Sequence, residues 1–427
     1  MNETREKPQK VERAFLVGIH RKGQEERETL ELLEELEELV TNLEISTVGQ
    51  TVVKLRSEGA RYLVGSGKLA EIVEECKALD ADVIIFDEAL SPSQQRNWER
   101  DAGVCVIDRR EVILDIFADR ATTREAVLQI QLARAAYDMP RLTRAWTHLS
   151  RQRGATNMKG DGERQLELDR RMVRQRMQRL QGELKAVRKQ RATQRKQRRQ
   201  RPVPNAALVG YTNAGKSSLL NYITGSEVYA DDKLFATLDP TTKKIVLSNN
   251  QELLLTDTVG FIRKLPHDLV EAFKATLEEA VLADFLLHVV DCSNPDALEH
   301  MHTTMEVLEE LGAEKKRILM VFNKIDMFTD ETAYLLPRLR GQYPDSYFIS
   351  AKSGEGVDSL LKEMETILEE ELTEKVYRIP MERYDLIALL HRTSHILSEE
   401  YDGNDVDLTV AMPKLLEAKF EDFEIEV

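Results

Sequence analysis

The sequence predicts an α/β protein in four parts: an N-terminal α/β domain, a helical coiled-coil hairpin, a second α/β domain and a small C-terminal α/β domain. Three observations predict this organisation. Short apolar strands alternate with amphipathic helices in the first 120 residues; strand patterns stop from about 122 to 201; and they return after the helix-breaking run 201–204. We therefore place the domains at residues 1–121, 122–202, 203–372 and 373–427.

The composition is that of a soluble protein, with 42% hydrophobic and 32% charged residues among 427. The longest apolar stretch, residues 281–290, contains Asp284 and His288 and is too short to span a bilayer. The first residues are charged, so we expect no secretion signal. We expect a cytoplasmic monomer, with peripheral membrane contact left open, whose distant cysteines are reduced core thiols: Cys76, Cys105 and Cys292.

The N-terminal domain is predicted from four apolar runs and one amphipathic helix. Strands are expected at residues 14–19, 48–55, 83–86 and 104–107. A helix is expected over residues 25–40, where leucines recur at helical spacing at Leu30, Leu33, Leu36 and Leu39. Alternation of strands with helices favours a parallel sheet.

The segment after residue 121 predicts a helical hairpin. Residues 122–150 are expected to form a helix kinked at Pro140, and residues 164–200 a second helix. The glycine-bearing stretch 151–162 would be the tip. The second helix carries apolar residues at coiled-coil spacing, which are Val173, Met177, Leu180, Leu184 and Val187. The alternative is a solvated charged helix with a flexible loop.

Charge is concentrated in this hairpin. Residues 151–201 contain 18 Lys and Arg against 5 Asp and Glu, whereas the rest of the chain contains 42 against 70. The segment therefore carries a local charge of +13 in a chain whose net charge is −15. An acidic body with one basic segment repels polyanions everywhere except at that segment, which indicates a nucleic-acid contact there.

A glycine-rich loop follows the first strand of the second α/β domain. Residues 206–209 are apolar, the run Gly210-Tyr-Thr-Asn-Ala-Gly-Lys-Ser217 follows, and a helical pattern begins directly after it. Backbone N–H groups of such a loop curl around a β-phosphate, and the helix N-terminus adds its positive end. Lys216 would bridge the β- and γ-phosphates, and the Ser217 hydroxyl would ligate Mg²⁺.

A second motif, Asp257-Thr-Val-Gly260, follows a strand over residues 252–256. The Asp would hold Mg²⁺ through water, and the Gly260 N–H would reach the γ-phosphate. A threonine between the two motifs should complete the Mg²⁺ shell. The residues alone leave three candidates open, Thr237, Thr241 and Thr242.

Two further strands predict the base site. Residues 318–322 precede Asn323-Lys-Ile-Asp326, and residues 346–349 precede Ser350-Ala-Lys352. A buried Asp326 would accept two hydrogen bonds from guanine and would be left unpaired by adenine. Asn323 would tie the loops together, the Lys324 stem would cover the base, and the Ala351 N–H would meet guanine O6. All four motifs end strands, where an open α/β sheet binds its ligand, so the chain is predicted to bind GTP.

These motifs resemble those of the HflX GTPases. The resemblance rests on residues 210–217, on Leu-Phe-Ala-Thr-Leu-Asp-Pro-Thr at 234–241, on residues 323–326, and most specifically on Asp-Thr-Val-Gly-Phe-Ile-Arg-Lys-Leu-Pro-His at 257–267. Outside this domain it includes residues 86–97, 106–109, 113–117, 146–149 and 165–171. It covers roughly residues 10–370; the tail is not diagnostic.

The resemblance implies a GTPase that hydrolyses GTP to GDP and phosphate with Mg²⁺. It implies that Thr237 is the switch threonine and, with Ser217, a Mg²⁺ ligand, and that Phe235 to Asp239 line the nucleotide. Lys216, Thr237 and Gly260 are the expected catalytic residues. The expected nucleotide-binding residues are Gly210, Tyr211, Thr212, Asn213, Ala214, Gly215, Lys216, Ser217, Phe235, Ala236, Thr237, Leu238, Asp239, Asp257, Thr258, Val259, Gly260, Asn323, Lys324, Ile325, Asp326, Ser350, Ala351 and Lys352.

The resemblance also implies a partner, the large ribosomal subunit and its rRNA, with the hairpin reaching toward the peptidyl-transferase region. Such proteins split or rescue ribosomes under stress. The family's hairpin loop reads Gly-Pro-Gly-Glu-Thr-Gln, whereas this chain has Gly-Asp-Gly-Glu-Arg-Gln at residues 160–165. No membrane insertion is expected.

Phe261 occupies the position where Ras-like GTPases place a water-orienting Gln. A phenyl ring cannot position water. Hydrolysis by the free protein should therefore be slow, and a partner should supply the missing element.

Two other functions remain open. The run Tyr62-Leu-Val-Gly-Ser-Gly-Lys-Leu69 looks like a second phosphate loop, which would make the chain an RNA-remodelling NTPase that uses ATP through its N-terminal domain. However, Tyr62 and Leu69 replace the required Gly and Ser/Thr, so a helix start with permissive glycines is favoured. A membrane or septum scaffold lacks any lipidation signal or basic amphipathic helix.

The C-terminal tail predicts a strand over residues 376–379, a helix over 384–398 and a strand over 406–412. No chemistry is assigned to it.

Overall fold

The computed structural model describes residues 11–55, 59, 61–142, 159–198, 203–225, 234–235, 237–264, 279–328, 334–370, 372–413, 417 and 419–425. No helix within these ranges is both long enough and apolar enough to cross a membrane. The described residues also contain no group of three or more His, Cys, Asp or Glu side chains arranged to hold a metal ion.

The N-terminal region is a parallel four-stranded sheet with strand order β2-β1-β3-β4. Its elements are β1 (Arg13–His20), α1 (Glu26–Asn42), β2 (Ser46–Lys54), α2 (Ser66–Ala78), β3 (Val83–Phe86), α3 (Pro92–Ala102), β4 (Cys105–Asp108) and α4 (Arg109–Arg120). The predicted parallel sheet is confirmed.

The apparent second phosphate loop is the start of α2. Gly65 is the residue before the first helical turn and has extended backbone angles. The Lys68 ammonium lies 2.8 Å from the Glu71 carboxylate on the same helix, and Tyr62 is buried against Trp98. The prediction of a helix start is confirmed.

Two helices follow the N-terminal sheet, α5 (Arg124–Asp138) and α6 (Lys159–Arg198). A short 3₁₀ turn at Met139–Arg141 directly follows α5. The helix expected over 122–150 with a kink at Pro140 instead ends at Asp138, and a 3₁₀ turn containing Pro140 follows. The part of that prediction over residues 143–150 lies outside the described residues. Residues 160–162 were expected in the tip but lie in α6, which tolerates the roughly 1 kcal/mol cost of each glycine.

Most of the expected tip, including Arg151 and Arg153, lies outside the described residues. The predicted seam is buried only at one end. Leu180 and Leu184 of α6 pack against Leu128 of α5, whereas Val173 and Met177 are only half-buried. These two helices, α5 and α6, are called the arm below.

The second α/β region is a six-stranded sheet of order β10-β9-β8-β5-β7-β6, parallel except for β6, which is antiparallel to β7. Its elements are β5 (Asn205–Val209), α7 (Lys216–Thr224), β6 (Thr241–Val246), β7 (Glu252–Asp257), β8 (Phe285–Asp291), α8 (Ala297–Glu310), β9 (Arg317–Asn323), α9 (Leu335–Gln342), β10 (Tyr347–Phe348) and α10 (Val357–Glu370).

The C-terminal region is an antiparallel sheet of order β11-β13-β12 with one helix. Its elements are β11 (Leu372–Pro380), α11 (Tyr384–Thr393), β12 (His395–Asp402) and β13 (Asp405–Pro413). The expected helix over 384–398 is wrong beyond Thr393. Ser394 has extended backbone angles and ends the helix, and β12 then pairs with β13.

One apolar cluster joins the N-terminal sheet and the six-stranded sheet. Buried residues of the N-terminal region pack in it with buried residues of the six-stranded region. Phe117 of α4 makes an edge contact with Phe235, with ring centroids 4.6 Å apart and planes at 72°. The two regions therefore share a core, which fixes the position of one region relative to the other.

We predict that Leu184→Ala loosens the arm. Leu184 is 7% exposed in the small cluster between α5 and α6, and truncation of such a side chain costs about 2–4 kcal/mol. Met172 is 61% exposed on the same helix, so Met172→Ala is the matched control and should change stability by less than about 0.5 kcal/mol. Urea unfolding followed by circular dichroism measures both, and equal losses would contradict the packing of α5 on α6.

Candidate functional site

The loop between β5 and α7 wraps one side of a cavity of about 630 Å³. Gly215 has φ of +91°, and a Cβ there would lie 2.1 Å from Nδ2 of Asn323. A side chain is therefore excluded at that position by both backbone angle and space. Helix α7 begins directly after it, so its N-terminal N–H groups face the cavity.

The cavity gathers all four predicted motifs. Its lining residues are Thr212, Asn213, Gly215, Lys216, Ser217, Ser218, Phe235, Thr237, Thr258, Gly260, Asn323, Lys324, Asp326, Met327, Ala351 and Lys352. Ser218 and Met327 belong to the lining but were not predicted. The predicted residues that do not line it are Gly210, Tyr211, Ala214, Leu238, Asp239, Asp257, Val259, Ile325 and Ser350, and Ala236 lies outside the described residues.

Three oxygen-bearing side chains meet at one end of the cavity. The Ser217 hydroxyl lies 2.7 Å from the Thr237 hydroxyl, and both donate to Oδ2 of Asp257, at 2.6 and 2.9 Å. The other carboxylate oxygen of Asp257 is buried without a hydrogen-bond partner within the described part of the chain. Burial raises the pKa of Asp257, although Lys216 and the two hydroxyls oppose that shift.

Only one of the three candidate threonines reaches this corner. Thr237 belongs to the segment before β6 and contacts Ser217 and Asp257. Thr241 and Thr242 lie within β6, where the Thr242 hydroxyl is 3.0 Å from that of Thr256. The tertiary structure thus separates residues that the motif alone left equivalent.

Lys216 lies beside the same corner. Its ammonium donates to the backbone carbonyls of Gly210 and Tyr211, at 3.1 and 2.7 Å. Burial lowers the pKa of Lys216 to about 8, with Asp257 acting in the opposite direction. A buried cation held by loop carbonyls is placed to exchange them for phosphate oxygens.

The Asn323-Lys-Ile-Asp326 motif forms the other end of the cavity. Asn323 Nδ2 donates to the Ala214 carbonyl, and Asn323 Oδ1 accepts from the Ala351 N–H, both at 2.9 Å. Asn323 therefore ties the loops together, as predicted. The Ala351 N–H donates to Asn323 in this structure, and its expected contact with guanine O6 stays a prediction.

Asp326 is exposed at the cavity, whereas a buried Asp was expected. Lys324, with φ of +68°, lies beside it and pairs with Asp291 at 2.8 Å.

Phe261 is fixed by backbone contacts and does not line the cavity. Its N–H donates to the Gly210 carbonyl at 3.1 Å, and its carbonyl accepts from the Thr212 N–H at 2.8 Å. The ring is 1% exposed in the shared core. Gly260 precedes it, and a Cβ there would lie 2.7 Å from the Thr212 backbone and 3.0 Å from the Lys216 ammonium. The second motif thus approaches the first closely.

Two residues expected at the nucleotide point elsewhere. The Asp239 carboxylate accepts hydrogen bonds from Thr122 and Thr123 at the start of α5. The expectation that its side chain lines the nucleotide is therefore wrong. Leu238 is 2% exposed and belongs to the shared core. The start of α5 thus holds the side chain of Asp239, and the shared core holds that of Leu238, which the sequence pattern did not indicate.

Tyr211 also turns away from the cavity. Its hydroxyl contacts the Glu35 carboxylate and accepts from the Arg263 N–H at 2.7 Å. Its ring stacks on His300, with centroids 3.7 Å apart. Burial raises the pKa of Tyr211, and Glu35 adds to the shift, so the phenol stays protonated and donates to that carboxylate.

Glu35 belongs to a buried ionic cluster between the two sheets. The Arg109 guanidinium pairs with Glu35 and, at 2.8 Å, with Asp87, and all three are less than 9% exposed. Lys264 pairs with Asp87 at 2.7 Å from the other domain. Burial lowers the pKa of Arg109, but Glu35 and Asp87 outweigh that effect and raise it. We call Glu35, Asp87, Arg109, Tyr211 and Lys264 the interface cluster.

Sequence reasoning missed the interface cluster. A signal was present, because Asp87 and Arg109 directly follow the buried strands β3 and β4. Charged residues at such positions, where they cannot all reach water, indicate a functional or interdomain contact.

A parallel sheet whose strand ends carry a phosphate loop, two oxygen-bearing loops and an Asn-Lys-x-Asp base loop defines a P-loop GTPase. Family models match in the same order. Residues 30–118 match a model described as "GTP-binding GTPase N-terminal". Residues 120–198 match a model described as "GTP-binding GTPase Middle Region", and residues 205–324 match a model described as "50S ribosome-binding GTPase".

Full-length relatives match as well. A protein named GTPase HflX from Akkermansia muciniphila is 49% identical over 433 residues, covering 99% of both chains. GTPase HflX from Escherichia coli K12 is 43% identical over 404 residues, covering 94% of each. A crystal structure of the SsGBP and GDP complex is 26% identical, with a TM-score of 0.47, covering 84% of this chain and 98% of that one. The chain belongs to the HflX family of GTPases; it binds guanine nucleotides and hydrolyses GTP.

We predict that Arg109→Met destabilises the protein by about 3–5 kcal/mol, because it leaves the carboxylates of Glu35 and Asp87 buried without their cation. Arg378→Met is the control, since the Arg378–Asp407 pair is exposed to solvent and should matter little. Thermal or urea unfolding of both variants measures the difference. If both variants lose only a small and similar amount of stability, the buried ion pairs of Arg109 do not stabilise the protein as predicted.

Proposed function

We propose that this chain is a GTP-dependent switch that acts on the large ribosomal subunit and requires Mg²⁺. The observation that carries the nucleotide part is the meeting of Ser217, Thr237 and Asp257 at one end of a cavity whose other end is formed by Asn323 and Asp326. A phosphate chain with a hard cation suits the first end, and a guanine base suits the second.

The oxygen-bearing corner fits a magnesium ion. Mg²⁺ prefers oxygen ligands and keeps several waters. The hydroxyls of Ser217 and Thr237 would be direct ligands, and Asp257 would hold bound water, for which its unpaired buried oxygen is available. When bound, the ion would neutralise charge on the phosphates.

The chain's own residues would position the triphosphate. Lys216 would move from the loop carbonyls to the β- and γ-phosphates, and the loop N–H groups would surround the β-phosphate. The Gly260 N–H would face the γ-phosphate, where the close approach of the two motifs brings it near Lys216. Lys216, Thr237 and Gly260 remain our proposed catalytic residues.

Hydrolysis by the free protein should be slow. Phe261 is buried and held by Gly210 and Thr212, so no polar side chain stands at that position to orient water. Positioning and charge supply nearly all the catalysis of phosphoryl transfer, so the missing group must come from a partner.

The partner we propose is the large ribosomal subunit. The model matched by residues 205–324 carries the description "50S ribosome-binding GTPase". Residues 151–201 contain 18 Lys and Arg against 5 Asp and Glu, in a chain of net charge −15, so a polyanion would be directed to the arm and its tip. We further propose that the chain acts in the cytoplasm as a monomer that splits or rescues ribosomes under stress.

We expect Asp326→Asn to weaken GTP binding by on the order of 100-fold, because an amide cannot accept both guanine hydrogen bonds. The same variant should gain affinity for xanthosine nucleotides, since the amide can donate to the 2-oxo group. Fluorescence titration with labelled nucleotides measures both effects. Asp345→Asn, an exposed change away from the cavity, is the control. Unaltered GTP binding by Asp326→Asn would refute the base assignment.

Steady-state phosphate release should be slow for the free protein and rise by more than about tenfold with purified large ribosomal subunits. Lys216→Ala should abolish both rates, because it removes the phosphate-binding ammonium. Phe261→Ala should reduce the basal rate less than Lys216→Ala does. Small ribosomal subunits serve as the RNA-matched control. Equal rates with and without large subunits would refute the ribosome as activator and leave the GTP site intact.

A further inference from the structure

The segment that carries Thr237 is anchored by Asp239, two residues further on. Oδ2 of Asp239 accepts from the Thr122 N–H at 2.9 Å, the Thr122 hydroxyl at 2.6 Å and the Thr123 N–H at 2.9 Å. Oδ1 accepts from the Thr123 hydroxyl at 2.5 Å. All four donors belong to two consecutive residues, which form the start of helix α5.

This contact joins the carboxylate to the positive end of a helix. Thr123 is the N-cap of α5, and its hydroxyl oxygen accepts from the Ala126 N–H at 3.3 Å. A negative charge at a helix N-terminus is stabilised by the helix dipole. The start of α5 therefore holds the Asp239 carboxylate both by four hydrogen bonds and by the direction of the helix dipole.

Helix α5 is itself one of the two helices of the arm. It packs on α6 through Leu128, Leu180 and Leu184. Arg188 of α6 also lies 3.8 Å from the Glu125 carboxylate in the first turn of α5. Helix α5 has 15 residues and moves as one stiff body. A change in the position of the arm therefore moves Thr122 and Thr123, which hold Asp239.

The link to the nucleotide corner is equally short. Two residues of extended chain span at most about 7 Å, so a displacement of Asp239 also displaces Thr237. On the other side of Thr237, Asn42 Nδ2 donates to the Leu234 carbonyl at 3.0 Å, and Phe235 packs on Phe117. The N-terminal region and the arm thus hold this segment on both sides of Thr237.

We propose that Asp239 is a positioning residue that couples the arm to the nucleotide site: the start of α5 holds its carboxylate and thereby keeps Thr237 against Ser217 and Asp257. This rests on the proposed function, because it requires Thr237 to act on a GTP-bound Mg²⁺ ion. Coupling of this kind is reciprocal. GTP binding then stabilises one position of the arm, and a partner that holds the arm there raises the affinity for GTP over GDP.

The first test removes one donor without removing the helix cap. Thr122→Val deletes the hydroxyl that donates to Asp239 and keeps the side-chain shape, whereas Thr122→Ser retains the donor. With Mg²⁺, Thr122→Val should bind GMPPNP about tenfold more weakly, while its GDP affinity should stay within about twofold of wild type. The variant loses a hydrogen bond to the Asp239 carboxylate with either nucleotide, but the proposal requires a well-placed Thr237 only for the triphosphate with its Mg²⁺ ion. Thr122→Ser should restore the wild-type ratio.

A purely structural role would not change the ratio of the two affinities. Ser91→Ala supplies that comparison, because Ser91 caps α3 with a capping box and lies outside the cavity lining. It should lower thermal stability and leave the GMPPNP-to-GDP affinity ratio unchanged. A Thr122→Val protein that is folded and keeps the wild-type ratio would overturn the proposal.

The second test follows the arm. Hydrogen exchange at the first amides of α5, such as Ala126 and Val127, should be slower with GMPPNP than with GDP in wild-type protein. In Asp239→Asn, which weakens the acceptor, that difference should disappear. Exchange that is independent of nucleotide in wild-type protein would overturn the coupling alone. A wild-type protein that binds neither nucleotide would overturn the proposed function as well.

Discussion

The buried guanidinium of Arg109 is the interaction on which the arrangement of the two α/β regions depends. It stands between Glu35 and Asp87 of the N-terminal region, where all three groups are nearly inaccessible to water. Such charges tolerate burial only when they are paired and hydrogen-bonded. Tyr211 joins Glu35 from the phosphate loop, and Lys264 joins Asp87 from the segment after Gly260. The nucleotide domain therefore completes the charge balance of its neighbour.

This dependence has a consequence for the nucleotide site. Both loops that would respond to a γ-phosphate are held from outside their own domain: the first by Thr122 and Thr123 through Asp239, and the second through Lys264. A Ras-like domain carries its own water-orienting side chain, whereas Phe261 is buried here. A protein whose loops are restrained by a neighbouring region is suited to control by whatever moves that region.

The elements that sequence predicted well are those governed by local rules. β3 and β5 are runs of apolar side chains, and α1 carries leucines at helical spacing. The phosphate loop could be recognised from the sequence because Gly215 adopts a φ of +91°, a backbone angle that favours glycine over every other residue. The errors also have local causes. The predicted helix over 122–150 includes Pro140, whereas α5 ends at Asp138, and the predicted helix over 384–398 includes Ser394, where the chain turns into β12.

The sequence by itself determined the nucleotide chemistry, because residues 210–217, 257–260 and 323–326 each act within a few residues of a strand end, where backbone direction fixes what they face. The resemblance pointed to Thr237 among three threonines, and the tertiary structure places its hydroxyl beside Ser217 and Asp257. Only the tertiary structure turned the side chains of Tyr211 and Asp239 away from the cavity. These two outcomes depend on partners more than 100 residues distant in the chain: Glu35 for Tyr211, and Thr122 with Thr123 for Asp239. Contacts between residues so far apart leave no periodicity or spacing in a single sequence, so folding alone brings them together.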